Sequence, residues 1–217
     1  MGCSSSNDAS AVSGKSTKKM TLAFFDVRGG ATGMVSRYLA NYCNVPYEMK
    51  SYIWADPELK ALKANHEYAW LNLPHVVDGK TTISESIAVH MYIAGKGRPE
   101  MLGTTPQEKA NRYRMHCIVT DNFWTFWKLV MTPGSTKESL VAKGIEVFAK
   151  VNDYLGDKQF LCGNTPSIAD FGLLETTNYL EKTIPGSVAG AYPKFIEHRE
   201  RMNNLPEMKK YFQTKEY

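Results

Sequence analysis

The segment from residue 72 to residue 94 constrains the fold more than any other part of the chain. It contains Leu73-Pro74, a run of β-forming residues, Asp78-Gly79, a second extended run and the polar triplet Ser84-Glu85-Ser86. Because X-Pro is the common setting for a cis peptide bond, we predict one between Leu73 and Pro74. Asp-Gly between two extended runs predicts a tight hairpin, and the polar triplet before an apolar helical pattern predicts a helix start.

A helix that starts in this way can bind a ligand with a carboxylate and an ammonium group. The N–H groups of its first turn are free donors that attract anions, while Ser86 adds a hydroxyl and Glu85 a carboxylate. The end group of an amino acid fits this description. A plain hairpin followed by a capped helix explains the same residues, so the rest of the chain must decide between the two interpretations.

The remaining patterns predict two domains behind a leader. Extended and helical segments follow one another as β-α-β-(α)-β-β-α over residues 21–96, which is typical of a thioredoxin-like α/β layer. Turn-forming residues at 97–105 indicate a linker. Only helical patterns follow at 106–217, where we predict an all-α domain. Its first long helix has an aromatic stripe, which is more typical of a core than of a cofactor site.

Composition and charge argue against several classes of protein. A net charge of +4 without a basic stripe is too weak for a nucleic-acid-binding protein, and no apolar run reaches the length of a membrane span. The four cysteines are far apart, and no Cys/His set has metal-ligand spacing, so we expect no metal site. Free thiols are typical of a reducing compartment, which predicts a cytoplasmic protein.

The first 20 residues form a small, polar leader that we predict to be disordered. Met1-Gly2-Cys3 with Ser6 fits the N-myristoylation pattern, and Cys3 is placed for palmitoylation. One myristoyl chain anchors a protein only marginally, so Cys3 or the lysines of the leader would supply the second signal. The expectation is therefore a tether to the cytoplasmic face of a membrane, and the alternative is an inert tail.

The segment described first also matches a family pattern. Leu73-Pro74, Asp78-Gly79 and Glu85-Ser86 with Ala88 stand where that family has Leu-Pro, Asp/Gly and Gln/Glu-Ser-x-Ala. On these residues, and on further matches over 21–212, the chain resembles the glutathione transferases, above all the sigma and mu classes. The resemblance implies the glutathione transferase fold, a homodimer, glutathione as a substrate, no metal, and a small hydrophobic electrophile as the second substrate.

The resemblance also implies a role for each residue of the glutathione site. Ser86 would bind the γ-glutamyl carboxylate, and Glu85, where the family usually has Gln, would pair with the ammonium group. Leu73, turned outward by Pro74, would bind the cysteinyl backbone as a one-residue β-addition. Asp121 matches a mu-class Asp that reaches the γ-glutamyl end of the site in the partner subunit; the alternative is an ordinary surface acid.

The family binds the glycine carboxylate with a Trp and a Lys from the loop before the cis-proline, and here two alignments are open. Residues 56–60 resemble a sigma-class Trp-Pro-Glu-Leu-Lys with Asp in place of Trp, which selects Lys60. Mu-class spacing counted back from Pro74 selects Lys63 instead. We prefer Lys60, and Trp54 is the candidate substitute for the missing Trp.

The largest departure from the family is at the catalytic position. The family Tyr, which donates a hydrogen bond to the glutathione sulfur and lowers its pKa, is Phe24 here. Thr32 is the nearest hydroxyl that could replace it, as a Ser does in the theta and delta classes, and Arg28 could stabilise a thiolate electrostatically. The expected electrophile pocket lies between Phe24, Thr32 and three further residues, Phe25, Phe123 and Met131.

Three functions remain open at this point. The first is a glutathione transferase that conjugates electrophiles, or an isomerase similar to the sigma-class prostaglandin D synthases. The second is a catalytically weak glutathione-binding or scaffold protein comparable to the lens S-crystallins, which Phe24 favours. The third is a membrane-tethered adaptor in which the fold serves only to dimerise. Thiol–disulfide exchange is excluded because no Cys follows the first strand.

Overall fold

A mixed sheet organises the first half of the chain. The computed structural model describes residues 19–26, 32–65 and 70–214. Its strands are β1 (Met20–Phe25), β2 (Tyr47–Tyr52), β3 (His75–Asp78) and β4 (Thr81–Ser84), in the spatial order β2-β1-β3-β4. β1 runs parallel to β2 and antiparallel to β3.

The hairpin between β3 and β4 forms as predicted, with its turn one residue later. Asp78 pairs with Thr81 at the end of the ladder, so the two turn residues are Gly79 and Lys80. Gly79 has φ +65, a conformation that a residue without a side chain adopts at little cost.

Helices cover both faces of this sheet. α1 (Thr32–Tyr42) and α3 (Ser86–Gly97) pack on the face that includes Leu22, whereas α2 (Pro57–Ala64) packs on the face that includes Ala23. Successive side chains of a strand point to opposite faces. Phe24 therefore faces α1, and Phe25 faces α2.

The second half of the chain is helical in the part that the structure describes. A short 3-10 helix at Pro99–Leu102 lies within the predicted linker and buries Met101. The helices that follow are α4 (Pro106–Val130), α5 (Lys137–Leu155), α6 (Ile168–Thr183), α7 (Ser187–Ala191), α8 (Pro193–Asn203) and α9 (Pro206–Gln213).

α6 is the central helix, and its start is fixed by a buried carboxylate. Asp170 accepts hydrogen bonds from the backbone and hydroxyl of Ser167 at 2.8 and 2.7 Å, and from Leu161 N at 2.8 Å. His198 Nε2 of α8 lies 2.9 Å from the same carboxylate. Asp170 is therefore a structural residue: with Ser167 it forms a capping box at the start of α6.

One hydrophobic core joins the two halves. Residues of β1, α1 and α3 pack in the same cluster as Phe171 and Leu174 of α6 and Tyr211 of α9. α1, which packs on the sheet, is thereby held against α6 and α9 of the helical half, and this junction positions the start of α1 at the candidate site.

Candidate functional site

The strand registers bring the candidate glutathione residues to one end of the sheet. Ala23 pairs with His75, and His75 pairs with Ser84. The residues one step further along each strand, Phe24, Pro74 and Glu85, therefore lie side by side, with neighbouring strands about 4.8 Å apart. The peptide bond between Leu73 and Pro74 is cis, as predicted. Phe24 and Pro74, 50 positions apart in sequence, are thus adjacent through strand pairing alone.

The start of α3 has an unusual backbone. Glu85 precedes the helix with φ +73 and ψ 122, a region that residues with a side chain rarely occupy. Its carboxylate makes no capping hydrogen bond to the helix and is exposed, while Ser86 is the first helical residue. The carboxylate of Glu85 and the first-turn N–H groups therefore both remain available to a ligand.

Phe24 is held against the first turn of α1. It is 8% exposed, and a methyl group added at Gly33 would come within 2.2 Å of its ring. Only glycine leaves room for the ring at this distance. The close approach of Phe24 and Gly33 could not be predicted from the sequence, because a lone glycine near a helix start has many explanations.

Thr32 lies at the start of α1 and is also buried. Its carbonyl accepts hydrogen bonds from Ser36 Oγ at 3.3 Å and from His90 Nε2 at 3.0 Å. Its side chain lines a narrow internal cavity together with His90 and Phe123. The structure therefore places Thr32 against the interior behind Phe24.

A pair of buried histidines, His90 of α3 and His116 of α4, lies against the start of α1. A carbonyl can only accept, so His90 Nε2 carries a hydrogen, and its Nδ1 accepts from His116 Nε2–H at 2.8 Å. Burial lowers the pKa of His90 to about 4 and holds the pKa of His116 well below its ordinary value. Both rings are therefore neutral at pH 7. This pair could not be predicted from the sequence, because the two residues are 26 positions apart and match no motif.

The candidates for the glycine carboxylate lie beyond β2. Trp54 is 84% exposed, and its ring is 5.3 Å from that of Phe25. Lys60 and Lys63 are both exposed on α2, and neither has an ion-pair partner among the described residues. The structure therefore places Trp54 beside the end of β1 and leaves both lysines available.

The three further residues expected in the electrophile pocket lie in different surroundings. Phe25 stacks on Trp54, on the α2 side of the sheet. Phe123 is buried in α4, with its ring 5.3 Å from that of Tyr179. Met131 follows α4 and is 61% exposed. A cleft of about 840 Å³ opens beside Phe24 and Phe25 and extends along α1, and neither Phe123 nor Met131 lines it.

Two family models match this chain. The model described as "Glutathione S-transferase, N-terminal domain" matches residues 20–95, and the one described as "Glutathione S-transferase, C-terminal domain" matches residues 123–215. The chain belongs to the glutathione transferase family. The family and the fold predicted from the sequence are thereby confirmed, and with them the class of glutathione-dependent transferases.

Relatives and solved structures agree with this family. The class-mu 26 kDa isozyme 7 glutathione S-transferase of Fasciola hepatica is 30% identical over 148 residues, which cover 67% of this chain and 66% of that protein. Glutathione S-transferase Mu 1 of Oryctolagus cuniculus is 26% identical over 91% of this chain and 92% of its own length. The structure titled "rat hPGDS complexed with a quinoline" has the same fold, with a TM-score of 0.75 at 20% identity over 91% of this chain and 97% of that one.

Asp121 lies on an exposed face of α4. Tyr113 and Cys117 precede it by eight and four residues, so the three share one side of the helix. Asp121 is exposed and does not line the cleft beside Phe24. Its contact with glutathione across a dimer stays a prediction.

Some predicted features fall outside the described residues. Arg28 of the loop before α1 and the lipidation candidates Gly2 and Cys3 are among them. Within the described ranges, no cluster of three His, Cys, Asp or Glu side chains could hold a metal ion. No described helix combines the length and the apolar character needed to cross a membrane.

Proposed function

We propose that this protein is a homodimeric glutathione transferase that joins the glutathione thiol to hydrophobic electrophiles. The observation that supports this most directly is the meeting of Phe24, the cis-peptide at Pro74 and the start of α3 at one end of the sheet. The strand registers place these three features side by side, so one ligand could contact all of them.

Glutathione has two carboxylates, one ammonium group and one thiol, and the sheet end offers a group for each part. Ser86 and the first-turn N–H groups of α3 bind the γ-glutamyl carboxylate, and Glu85 pairs with the ammonium. Leu73 offers its backbone to the cysteinyl residue in the manner of an added strand. Lys60 or Lys63, with Trp54, binds the glycine carboxylate. The thiol then lies near Phe24.

The chemical step is attack by the glutathione sulfur on an electrophilic carbon. The thiol gives up its proton to solvent, the C–S bond forms, and the leaving group departs with its electron pair. The same thiolate could promote an isomerisation without net consumption of glutathione. Phe24 offers no hydroxyl to stabilise the thiolate. Thr32 is the alternative donor, and Arg28 is a candidate for electrostatic stabilisation.

The second candidate function is that of a glutathione-binding protein with little catalysis. One observation favours it: the side chain at the position of the family Tyr is a phenylalanine packed against Gly33. Binding of the γ-glutamyl end does not depend on this side chain. Binding and turnover are therefore separable, and the Phe24 variants described below distinguish the two functions.

The dimer is proposed from an exposed surface that includes α3 and α4. Trp70 is 90% exposed, and its carbonyl accepts a hydrogen bond from Ser84, directly before the start of α3. Met91 on α3 and Tyr113 and Ile118 on α4 are also exposed. Large apolar side chains grouped in this way mark interfaces. A second subunit on this surface would bring Asp121 toward the neighbouring glutathione site.

Lipidation of the leader and a cytoplasmic location remain proposals that rest on sequence. The pattern at Met1-Gly2-Cys3 and the free cysteines support them. Intact-mass measurement of the protein from its native cell is expected to show one myristoyl group on Gly2. An unmodified or acetylated terminus would remove the proposed tether.

Isothermal titration with glutathione tests the proposed site. Ser86→Ala is expected to weaken binding by about 1–3 kcal/mol, because a charged group loses a hydrogen bond in a partly buried place. Thr136→Ala is the matched control: it removes the capping hydroxyl of α5, which accepts from Ser139 N, far from the sheet end. Absence of heat at millimolar glutathione in the wild-type protein would reject the proposal.

A further inference from the structure

The cleft beside Phe24 is bounded by the sheet, α1 and α9. Its wall includes Phe24 and Phe25 at the end of β1, Ser51 of β2, and Gly33 of α1. Tyr211 of α9 forms part of the opposite side. The cleft therefore extends from the expected position of the glutathione sulfur along the length of α1.

Arg37 presents an unsatisfied guanidinium group to this cleft. It lines the cleft one helical turn after Gly33 and is half-buried. Its Nε is buried without a hydrogen-bond partner among the described residues. Its other contacts are Met34 Sδ, 3.8 Å from Nη1, and the ring of Tyr211, 5.8 Å from Cζ. No carboxylate of the described chain lies within ion-pair distance of it.

A buried arginine donor without an anion is uncommon. Burying a charged group is costly unless it is paired, and guanidinium groups bind carboxylates in a planar, two-bond geometry. The Tyr211 ring, 5.8 Å from Cζ, packs against the group, and because Nε itself is buried, the terminal Nη atoms are the donors that a ligand in the cleft would reach. This geometry is that of a preformed receptor for an anion.

The other charged residues that line the cleft are also compatible with the binding of an anion. Lys19 and Lys210 add positive charge and have no ion-pair partner in the described ranges. Of the carboxylates, Glu207 is bound to Arg98, and Glu48 accepts a hydrogen bond from Thr21. Asp26, exposed at the end of β1, also lines the cleft, at the end nearest Phe25. Arg37 of α1 and Lys210 of α9 thus bring positive charge to the cleft from two sides, and Lys19 adds to it just before β1.

We propose that this cleft binds the second substrate and that Arg37 selects electrophiles that carry an anionic group, a carboxylate above all. This inference rests on the proposed transferase function. Four residues of α-helix separate Gly33 from Arg37, about 6 Å along the axis. The preferred electrophile therefore carries its anionic group roughly one aromatic ring away from the carbon that the sulfur attacks.

A pair of matched aryl chlorides tests this selection. In 4-chloro-3,5-dinitrobenzoate the thiolate attacks the chlorine-bearing carbon, the C–S bond forms, the nitro groups accept the negative charge of the adduct, and chloride leaves. The thiol proton goes to solvent. 4-Chloro-3,5-dinitrobenzamide reacts in the same way but has no charge opposite the chlorine.

The measured quantity is the ratio of kcat/KM for the benzoate to kcat/KM for the benzamide. Arg37→Met is expected to lower this ratio about 10- to 100-fold, the factor that corresponds to loss of a hydrogen bond to a charged group. Arg37→Lys should retain part of the preference, because it keeps the charge but loses the two-bond geometry. Lys150→Met, on α5 and outside the cleft lining, is the charge-matched control and should keep the wild-type ratio.

Equilibrium dialysis with 3,5-dinitrobenzoate, which has no leaving group, separates binding from catalysis. Arg37→Met is expected to weaken its binding by the same factor as it lowers the ratio. An unchanged ratio, or unchanged binding of this unreactive acid, overturns the role of Arg37. If the wild-type protein conjugates neither chloride while still binding the acid through Arg37, the transferase proposal fails and the anion site stands.

Discussion

Phe24 and Gly33 are the two residues on which the chemistry of the site depends most. The ring of Phe24 lies so close to the α1 backbone that Gly33 cannot carry a Cβ atom. In turn, the ring covers the first turn of α1 next to the expected sulfur. The hydroxyl that Phe24 lacks is therefore a difference of one oxygen atom, because packing against Gly33 already fixes the position of the ring.

Phe24→Tyr is expected to raise the rate of conjugation at neutral pH by about 10²–10³-fold, by analogy with a single hydrogen-bond donor to an oxyanion. In the wild-type protein the bound thiol should keep a pKa close to that of a free thiol, so its rate should rise steeply toward alkaline pH. Initial rates with an activated aryl halide, measured from pH 6 to pH 9, check both expectations.

Phe25→Tyr adds the same hydroxyl on the opposite face of the sheet and should give no such gain. If wild-type conjugation is already fast at neutral pH and Phe24→Tyr changes nothing, another donor serves the sulfur. Thr32→Val would then be the informative variant. If both Phe24 forms are inactive while glutathione still binds, the glutathione-binding function is supported instead.

At the scale of single residues, the sequence identified the residues expected to bind glutathione better than the residues that pack around the site. Pro74, Glu85 and Ser86 stood out because their residue types have strong local preferences, for a cis bond or for a helix start. Gly33, Arg37 and the two histidines did not. Their importance comes from what lies across from them in the fold, which no local pattern records.

At the scale of elements, the start of α3 combines a binding role with a backbone cost. Glu85 takes φ +73 between β4 and α3, where glycine would be the residue favoured by sterics. Strained residues of this kind cost about 1–3 kcal/mol and are concentrated at functional sites. The retention of a carboxylate here fits its proposed pairing with the glutathione ammonium.

Glu85→Gly is therefore expected to stabilise the fold by about 1 kcal/mol, after allowance for the greater freedom of glycine in the unfolded chain. Glu85→Ala keeps the strain, because it keeps a Cβ atom, and should give no such gain. Both variants should bind glutathione more weakly than the wild-type protein. Urea unfolding and calorimetry, run on all three proteins, measure the two effects. A Glu85→Gly variant less stable than Glu85→Ala would contradict this account.

Element boundaries were predictable wherever a cap or a turn residue marks them. Thr105 before Pro106 and Ser167 with Asp170 begin α4 and α6, as their capping patterns indicate. The conformation of Glu85 was not predictable, because glutamate has no preference for positive φ. Nor was the 3-10 helix within residues 97–105, where turn-forming residues suggested only a linker.

At the scale of the whole molecule, the His90–His116 pair links three elements. Its hydrogen bonds join α3 and α4 to the first residue of α1. A proton on His90 Nδ1 would face the N–H of His116, so His90 can be charged within the pair only if His116 moves its hydrogen from Nε2 to Nδ1. His116 Nδ1 is buried without a partner among the described residues, and a charge there would be equally costly.

The free energy of unfolding should therefore fall as the pH is lowered from about 6.5 to about 4. A histidine with a lowered pKa binds its proton more readily in the unfolded chain, so stability is complete above the unfolded value and is lost below it. For His90 the loss at pH 4 is about 3 kcal/mol. His90→Gln should reduce the slope of stability against pH in this window.

Urea unfolding at fixed protein concentration, at pH 7.0, 5.5 and 4.5, gives the slope for each protein. Burial also lowers the pKa of His75, so His75→Gln serves as the reference for a single buried histidine outside the pair. A wild-type slope that His90→Gln leaves unchanged would contradict the assignment to this pair.

The core that joins the two halves also bears on whether either half can fold without the other. Phe171, Leu174 and Tyr211 complete the packing of helices that belong to the thioredoxin-like half. Severed after α3, that half would expose the apolar side chains that now pack on Phe171, Leu174 and Tyr211, so we expect it not to fold independently. A chimera that exchanges either half with a distant relative would have to exchange the facing core residues as well. Because this core is shared, we expect the two architectures to unfold together in one cooperative transition.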